Sequence, residues 1–69
     1  MGRSSITQRE IQVIKLLANG LTATEAAKEL NIAAVTVDKR TRDARLKLDA
    51  NNIAHLIAIC FRNSLLKLK

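Results

Sequence analysis

The stretch Leu21-Thr22-Ala23-Thr24-Glu25-Ala26-Ala27-Lys28-Glu29-Leu30-Asn31-Ile32-Ala33-Ala34-Val35-Thr36-Val37 decides the fold. Thr22 and Glu25 have capping-box spacing: the hydroxyl serves the amide three residues on, and the carboxylate reaches back to the cap's own amide. Ala26, Ala27 and Leu30 then form an apolar side, and Ala27 leaves room for close helix contact. Asn31 tolerates the left-handed conformation that ends a helix. The spacing predicts a short helix over 23–30, a tight turn at Asn31-Ile32, and a new helix directly after it.

The segment before this stretch repeats the pattern. Thr7 and Glu10 form a second capping box, with Ile6 and Ile11 at the positions of a hydrophobic staple. Ile14, Leu17 and Ala18 continue an apolar stripe from Ile11, and Gly20 can enter the left-handed region without a Cβ penalty. This predicts a first helix over 8–19. After the turn, Val37, Thr41, Ala44 and Leu48 make one buried stripe on a third helix over about 34–48. Its opposite side carries Lys39, Arg42 and Arg45, flanked by Arg40 and Lys47.

Asp49-Ala50-Asn51-Asn52 breaks the chain again, and either Asn can cap a fourth helix over about 52–66. That helix is apolar nearly all round, with His55, Arg62 and Lys69 as its polar strip. Such a helix is covered on more than one side. Ile53, Ala54, Ile57, Ala58 and Phe61 lie on one side of it and Leu56, Ile59 and Leu66 on the other; three helices of so small a domain cannot cover both, so the first set is expected to meet a second copy of the chain. The expected core stripe is Ile14, Leu17, Leu30, Val37, Leu48 and Leu56.

Composition narrows the function. Sixty-nine residues hold one small domain, too small to build a substrate cavity with its walls, so an enzyme is not expected. Apolar residues at 48% argue against disorder. The chain has no Pro and one aromatic residue, Phe61, which favours an all-α fold. One Cys and one His make neither a disulfide nor a zinc site, so no metal or cofactor is expected. Cys60 and His55 read as packing residues. No secretory segment or membrane span is apparent, and Ile6 stands where a myristoylation signal needs Ser or Thr. A cytoplasmic, nucleoid-associated protein is expected, with residues 1–5 flexible and 6–69 forming the domain. The net charge of +6 calls for an acidic partner, nucleic acid before membrane. Residues 36–48 alone hold five basic and two acidic side chains, half of that net charge.

Two short helices, a tight turn and a basic following helix form a helix-turn-helix arrangement. An α-helix fits the DNA major groove, where Lys and Arg donate to guanine edges or phosphates. At this point the residues resemble a known family. Ile6-Thr7-Gln8-Arg9-Glu10, Leu16 to Thr22, Glu25-Ala26-Ala27, Leu30-Asn31-Ile32, Thr36-Val37 and Lys47-Leu48 resemble the LuxR-type (GerE, NarL/FixJ) DNA-binding domain, in register over 6–66. The resemblance implies a four-helix bundle of a bacterial transcriptional regulator. Its third helix would read the major groove of double-stranded DNA, and its fourth would form a homodimer on an inverted repeat. It implies base contacts from Asp38, Lys39 and Arg42. It places Thr24, Thr36, Arg40, Arg45 and Lys47 toward phosphates or in support of the helix. RNA polymerase is the further partner such a regulator would engage; no small molecule and no membrane are expected for this chain.

Three residues depart from the family pattern. Ala33 replaces the usual Ser or Thr cap, a loss of roughly 1 kcal/mol. Asp38 either accepts from a cytosine amino group or pairs with Arg42 at i+4. Arg40 replaces a frequent His. The chain fits both a stand-alone regulator and the DNA-binding part of a longer one. A rival reading is an interaction module that heterodimerises with a full-length LuxR-type regulator and inhibits it. Retention of Lys39, Arg40 and Arg42 argues against that rival.

Overall fold

A computed structural model describes residues 6–66 as four helices: α1 (Gln8–Ala18), α2 (Ala23–Leu30), α3 (Ala34–Leu48) and α4 (Ile53–Arg62). No strand occurs among the described residues. The all-α expectation and the bounds of α2 and α3 therefore hold. The expected flexible start, 1–5, and the last three residues of the expected domain lie outside the described residues.

Both capping boxes form. The Glu10 amide donates to Thr7 Oγ1 at 3.1 Å, and the Thr7 amide donates to Glu10 Oε1 at 2.8 Å. Thr22 and Glu25 repeat those bonds at 3.1 and 2.8 Å. Ala33 starts α3 without a side-chain cap, as its methyl group dictates. Asn52 caps α4 by accepting the His55 amide at 2.8 Å. His55 in turn accepts the Asn51 amide on Nδ1 at 3.0 Å, so the imidazole serves the turn as an acceptor.

All four helices end in one backbone pattern. The paired bonds Gly20 N to Leu17 O and Leu21 N to Leu16 O close α1. Asn31 with Ile32, Asp49 with Ala50, and Ser64 with Leu65 make the same pair of bonds after α2, α3 and α4. Each stop puts its first residue at positive φ: Gly20 94°, Asn31 59°, Asp49 56° and Ser64 63°. This is the Schellman arrangement, which satisfies carbonyls that the helix leaves open. It shortens α4 relative to the expected 52–66. The chain turns at Ser64, and Leu66 drops back into the core at 5% exposure.

The core has two parts with α3 between them. Val13, Ala26, Ala27 and Val37 form one, and Ile14, Ala44, Leu56, Cys60 and Leu66 form the other. Because α3 contributes Val37 to the first and Ala44 to the second, it packs against all three other helices. Of the expected core stripe, Ile14, Val37 and Leu56 are buried, while Leu17, Leu30 and Leu48 are half-buried.

Two expectations need correcting. On α1 the buried side is Glu10, Val13 and Ile14; Ile11 is half-buried and Ala18 is exposed. Val13 turns inward because α2 and α3 both cover that side. On α4 the inward pair is Leu56 and Cys60, four residues apart, and Ile59 is half-buried. Ile57 and Phe61, expected to lie outward, are half-buried and packed against their own core. Burial pushes the Cys60 thiol above its usual range, so it stays neutral and packs as a small hydrophobe.

Rotation of α1 carries Glu10 into the edge of the core, where Lys47 meets it. Lys47 Nζ lies 3.0 Å from Glu10 Oε1 and 2.9 Å from Oε2, with side-chain exposures of 30% and 6%. Removing one member of a sheltered pair leaves the other charge uncompensated. The two members are not equivalent: Lys47 can swing into water, and Glu10 cannot. Lys47→Met is expected to cost about 2–4 kcal/mol in urea denaturation and Glu10→Gln only about 1–2 kcal/mol, since the amide oxygen still accepts from Thr7. Equal costs would show that the pair is solvated from both sides.

Candidate nucleic-acid interface

The buried side of α3 is pinned by Val37, Thr41 and Ala44, and the Thr41 hydroxyl donates back to the Val37 carbonyl at 2.9 Å. The rest of the helix surface follows from 100° steps. Val35, Asp38, Lys39, Arg42 and Leu46 point outward and are exposed. Thr36, Arg40, Asp43 and Lys47 run down the flank toward α1 and are half-buried. Arg45 lies half-buried on the other flank, with its Nε shielded and without a hydrogen-bond partner.

The three residues expected to face bases therefore share one open surface. A shallow groove lined by Val35, Thr36, Asp38, Lys39 and Arg42 brings them together. Asp38 and Arg42 make no ion pair with each other among the described residues, although they stand at i, i+4. Lys39 instead meets Asp43 at 3.2 Å, with side-chain exposures of 66% and 38%. An exposed pair of this kind is worth about 0.5 kcal/mol or less, so Lys39 is readily released to another acceptor.

The flank facing α1 forms a second open groove. Thr7, Gln8, Arg9 and Glu10 line it from the start of α1, and Thr36, Lys39, Arg40 and Asp43 from α3. Five cationic or hydroxyl-bearing residues, Thr7, Arg9, Thr36, Lys39 and Arg40, thus border one trough. Sequence reading assigned nothing to Arg9, which is exposed in the first turn of α1. Its signal is only visible in three dimensions, because 31 positions separate it from Arg40. Thr24 is exposed in the first turn of α2. The Lys47 ammonium, expected at a phosphate, is held on Glu10 at the edge of the core.

Residues 4–60 match the family model GerE, described as bacterial regulatory proteins of the luxR family. The chain belongs to the LuxR (GerE) family. No curated protein and no solved structure gave a significant match. The match spans all of α1, α2 and α3 and most of α4. LuxR-family membership makes this a helix-turn-helix DNA-binding domain of a transcription regulator. No helix of the described residues is long and apolar enough to cross a membrane.

Two acidic residues line the groove between α1 and α3, and Asp43 is the one that Lys47 does not neutralise. Asp43→Asn is expected to leave stability within about 0.5 kcal/mol, since it breaks only an exposed pair. Affinity for duplex DNA should rise at low salt, and the gain should shrink as ionic strength climbs. Titrations at two salt concentrations measure both effects. A loss of affinity would instead make Asp43 an organiser of Lys39.

Proposed function

We propose that the domain binds double-stranded DNA sequence-specifically as a homodimer, with the outward face of α3 in the major groove. The observation that carries this reading is the orientation of α3. Its inner side is locked into both parts of the core, so Asp38, Lys39 and Arg42 are presented together on a rigid helix. Rigid presentation matters because bidentate contacts to base edges depend on angle as well as charge. Lys39 and Arg42 donate to acceptors on purines, and Asp38 accepts from an exposed amino group.

Phosphate contacts fall to the residues around this face. Arg9, Thr36 and Arg40 border the groove between α1 and α3, Thr24 opens α2, and Arg45 holds the opposite flank. Lys47 is assigned to the framework through Glu10.

The dimer reading rests on α4. Ala54 and Ala58 are exposed, Ile53 is 37% exposed, and the half-buried Ile57 and Phe61 border them. Small residues flanked by larger ones suit close contact between two copies of a helix. A two-fold pair of recognition helices would read half-sites about 10 bp apart, centre to centre. In the cell such a protein acts beside the nucleoid and engages RNA polymerase at the promoter.

Competition between selected and random duplexes tests the base assignments. Lys39→Ala and Arg42→Ala should each lose roughly 1–3 kcal/mol of discrimination, whereas Arg9→Ala and Arg40→Ala should weaken all sequences alike. With about four to six phosphates neutralised per dimer, log affinity should fall against log salt with a slope of about −4 to −5. Uniform losses in all four variants would move α3 out of the groove.

The interface is tested at its exposed alanines, since truncating Phe61 would also open the core. Ala58→Arg should give a helical monomer in sedimentation, with cooperative binding to a paired site lost. A dimer that survives both Ala54→Arg and Ala58→Arg would place the interface off α4.

A further inference from the structure

Val35 stands in the first turn of α3 with 72% of its surface exposed. Ala33 and Ala34 before it are exposed as well. The side chains at the entry to the helix thus show water only methyl groups, and none of them caps it. Folding gains little from this run. A β-branched residue on an open helix surface is a poorer helix former than Ala, and an exposed Val contributes no core.

The position of Val35 supplies another role. It lies on the same side of α3 as Asp38 and Arg42, three and seven residues on, and lines one groove with them. Leu46, the other large apolar residue exposed on α3, is also 72% exposed. It does not form an apolar patch with Val35, because eleven residues put them about 16 Å apart along the axis. Charged Lys39 and Arg42 lie between them. A second protein would find two isolated apolar points on this face. A DNA major groove offers single apolar points of matching size, the C5-methyl groups of pyrimidines. The N-terminal part of a recognition helix is the part that reaches base edges.

We propose that Val35 is a specificity residue that packs its methyl groups against the 5-methyl group of one thymine in each half-site. This inference rests on the major-groove placement of α3 proposed above. It adds a reader that forms no hydrogen bond and senses one carbon atom. The adjacent Ala33 and Ala34 assist by leaving the backbone free to approach.

Replacing thymine by deoxyuridine removes that methyl and leaves Watson–Crick pairing intact. A duplex selected from a random pool by the whole chain is scanned by this replacement, one thymine at a time. At one thymine per half-site, the unaltered protein should lose about fourfold in affinity, the worth of one buried methyl group at roughly 0.8 kcal/mol. Val35→Ala should show that loss already on the thymine duplex and no further loss on the deoxyuridine duplex. Its helix content by circular dichroism should match the parent. Sensitivity retained at the same thymine in Val35→Ala assigns the contact to another residue and overturns the proposal. Tight, sequence-selective binding with no sensitive thymine also overturns it, while leaving the major-groove reading intact. A parallel scan with 5-methylcytosine tests the other source of the same methyl group. A gain there, without any sensitive thymine, overturns the thymine assignment. Failure to select any duplex over random DNA would instead remove the underlying reading.

Discussion

The bond between Lys47 and Glu10 joins the last turn of α3 to the first turn of α1 across 37 residues of chain. Glu10 performs two tasks with one carboxylate. Its Oε1 closes the capping box with Thr7 and also receives Lys47. The start of the domain and the far end of its basic helix therefore share one anion. The core alone leaves α3 pinned near its middle by Val37 and Ala44, seven residues apart. The ion pair adds a third fixed point, outside the apolar packing, and resists rotation of α3 about its axis. In the proposed complex, side-chain angle at the base edges would depend on that rotation.

The same economy runs through the electrostatics of α3. Of its five cations, one is consumed in the framework, one is lightly held by Asp43, and the others remain for a ligand. A count of basic residues along the helix overstates the charge available to DNA. What counts is how many cations have no better partner at home. Solvent exposure separates the two pairs: the Lys47 pair is sheltered and durable, and the Lys39 pair is wet and exchangeable.

Features set by neighbouring residues were legible in the sequence. Thr7 with Glu10, Thr22 with Glu25, Gly20 and Asn31 each define a helix end through bonds spanning three to five residues, and each stands as read. The bounds of α3 follow from the turn at Asn31 and the break at Asp49. Legibility failed where distant partners decide. Periodicity marks a stripe on α1 but not which side of that stripe two other helices cover, so the burial of Val13 and Glu10 was missed. The stop after α4 was hidden because Ser64 adopts positive φ without being Gly or Asn. Leu65 and Leu66 read as continued helix, and only the backbone bonds to Cys60 reveal the turn. Arg9 escaped notice because a groove between two helices has no linear signature.

The thiol of Cys60 has no exposed surface and lies where α4 seats on α3 and Ile14. It is the chain's one cysteine. A reagent that modifies it must wait for α4 to lift away, so the rate of modification is a clock for that single local opening. Dimerisation through the outer face of α4 would slow the clock without touching the sulfur. Such a timer would report assembly on the outside of the domain from a position on its inside.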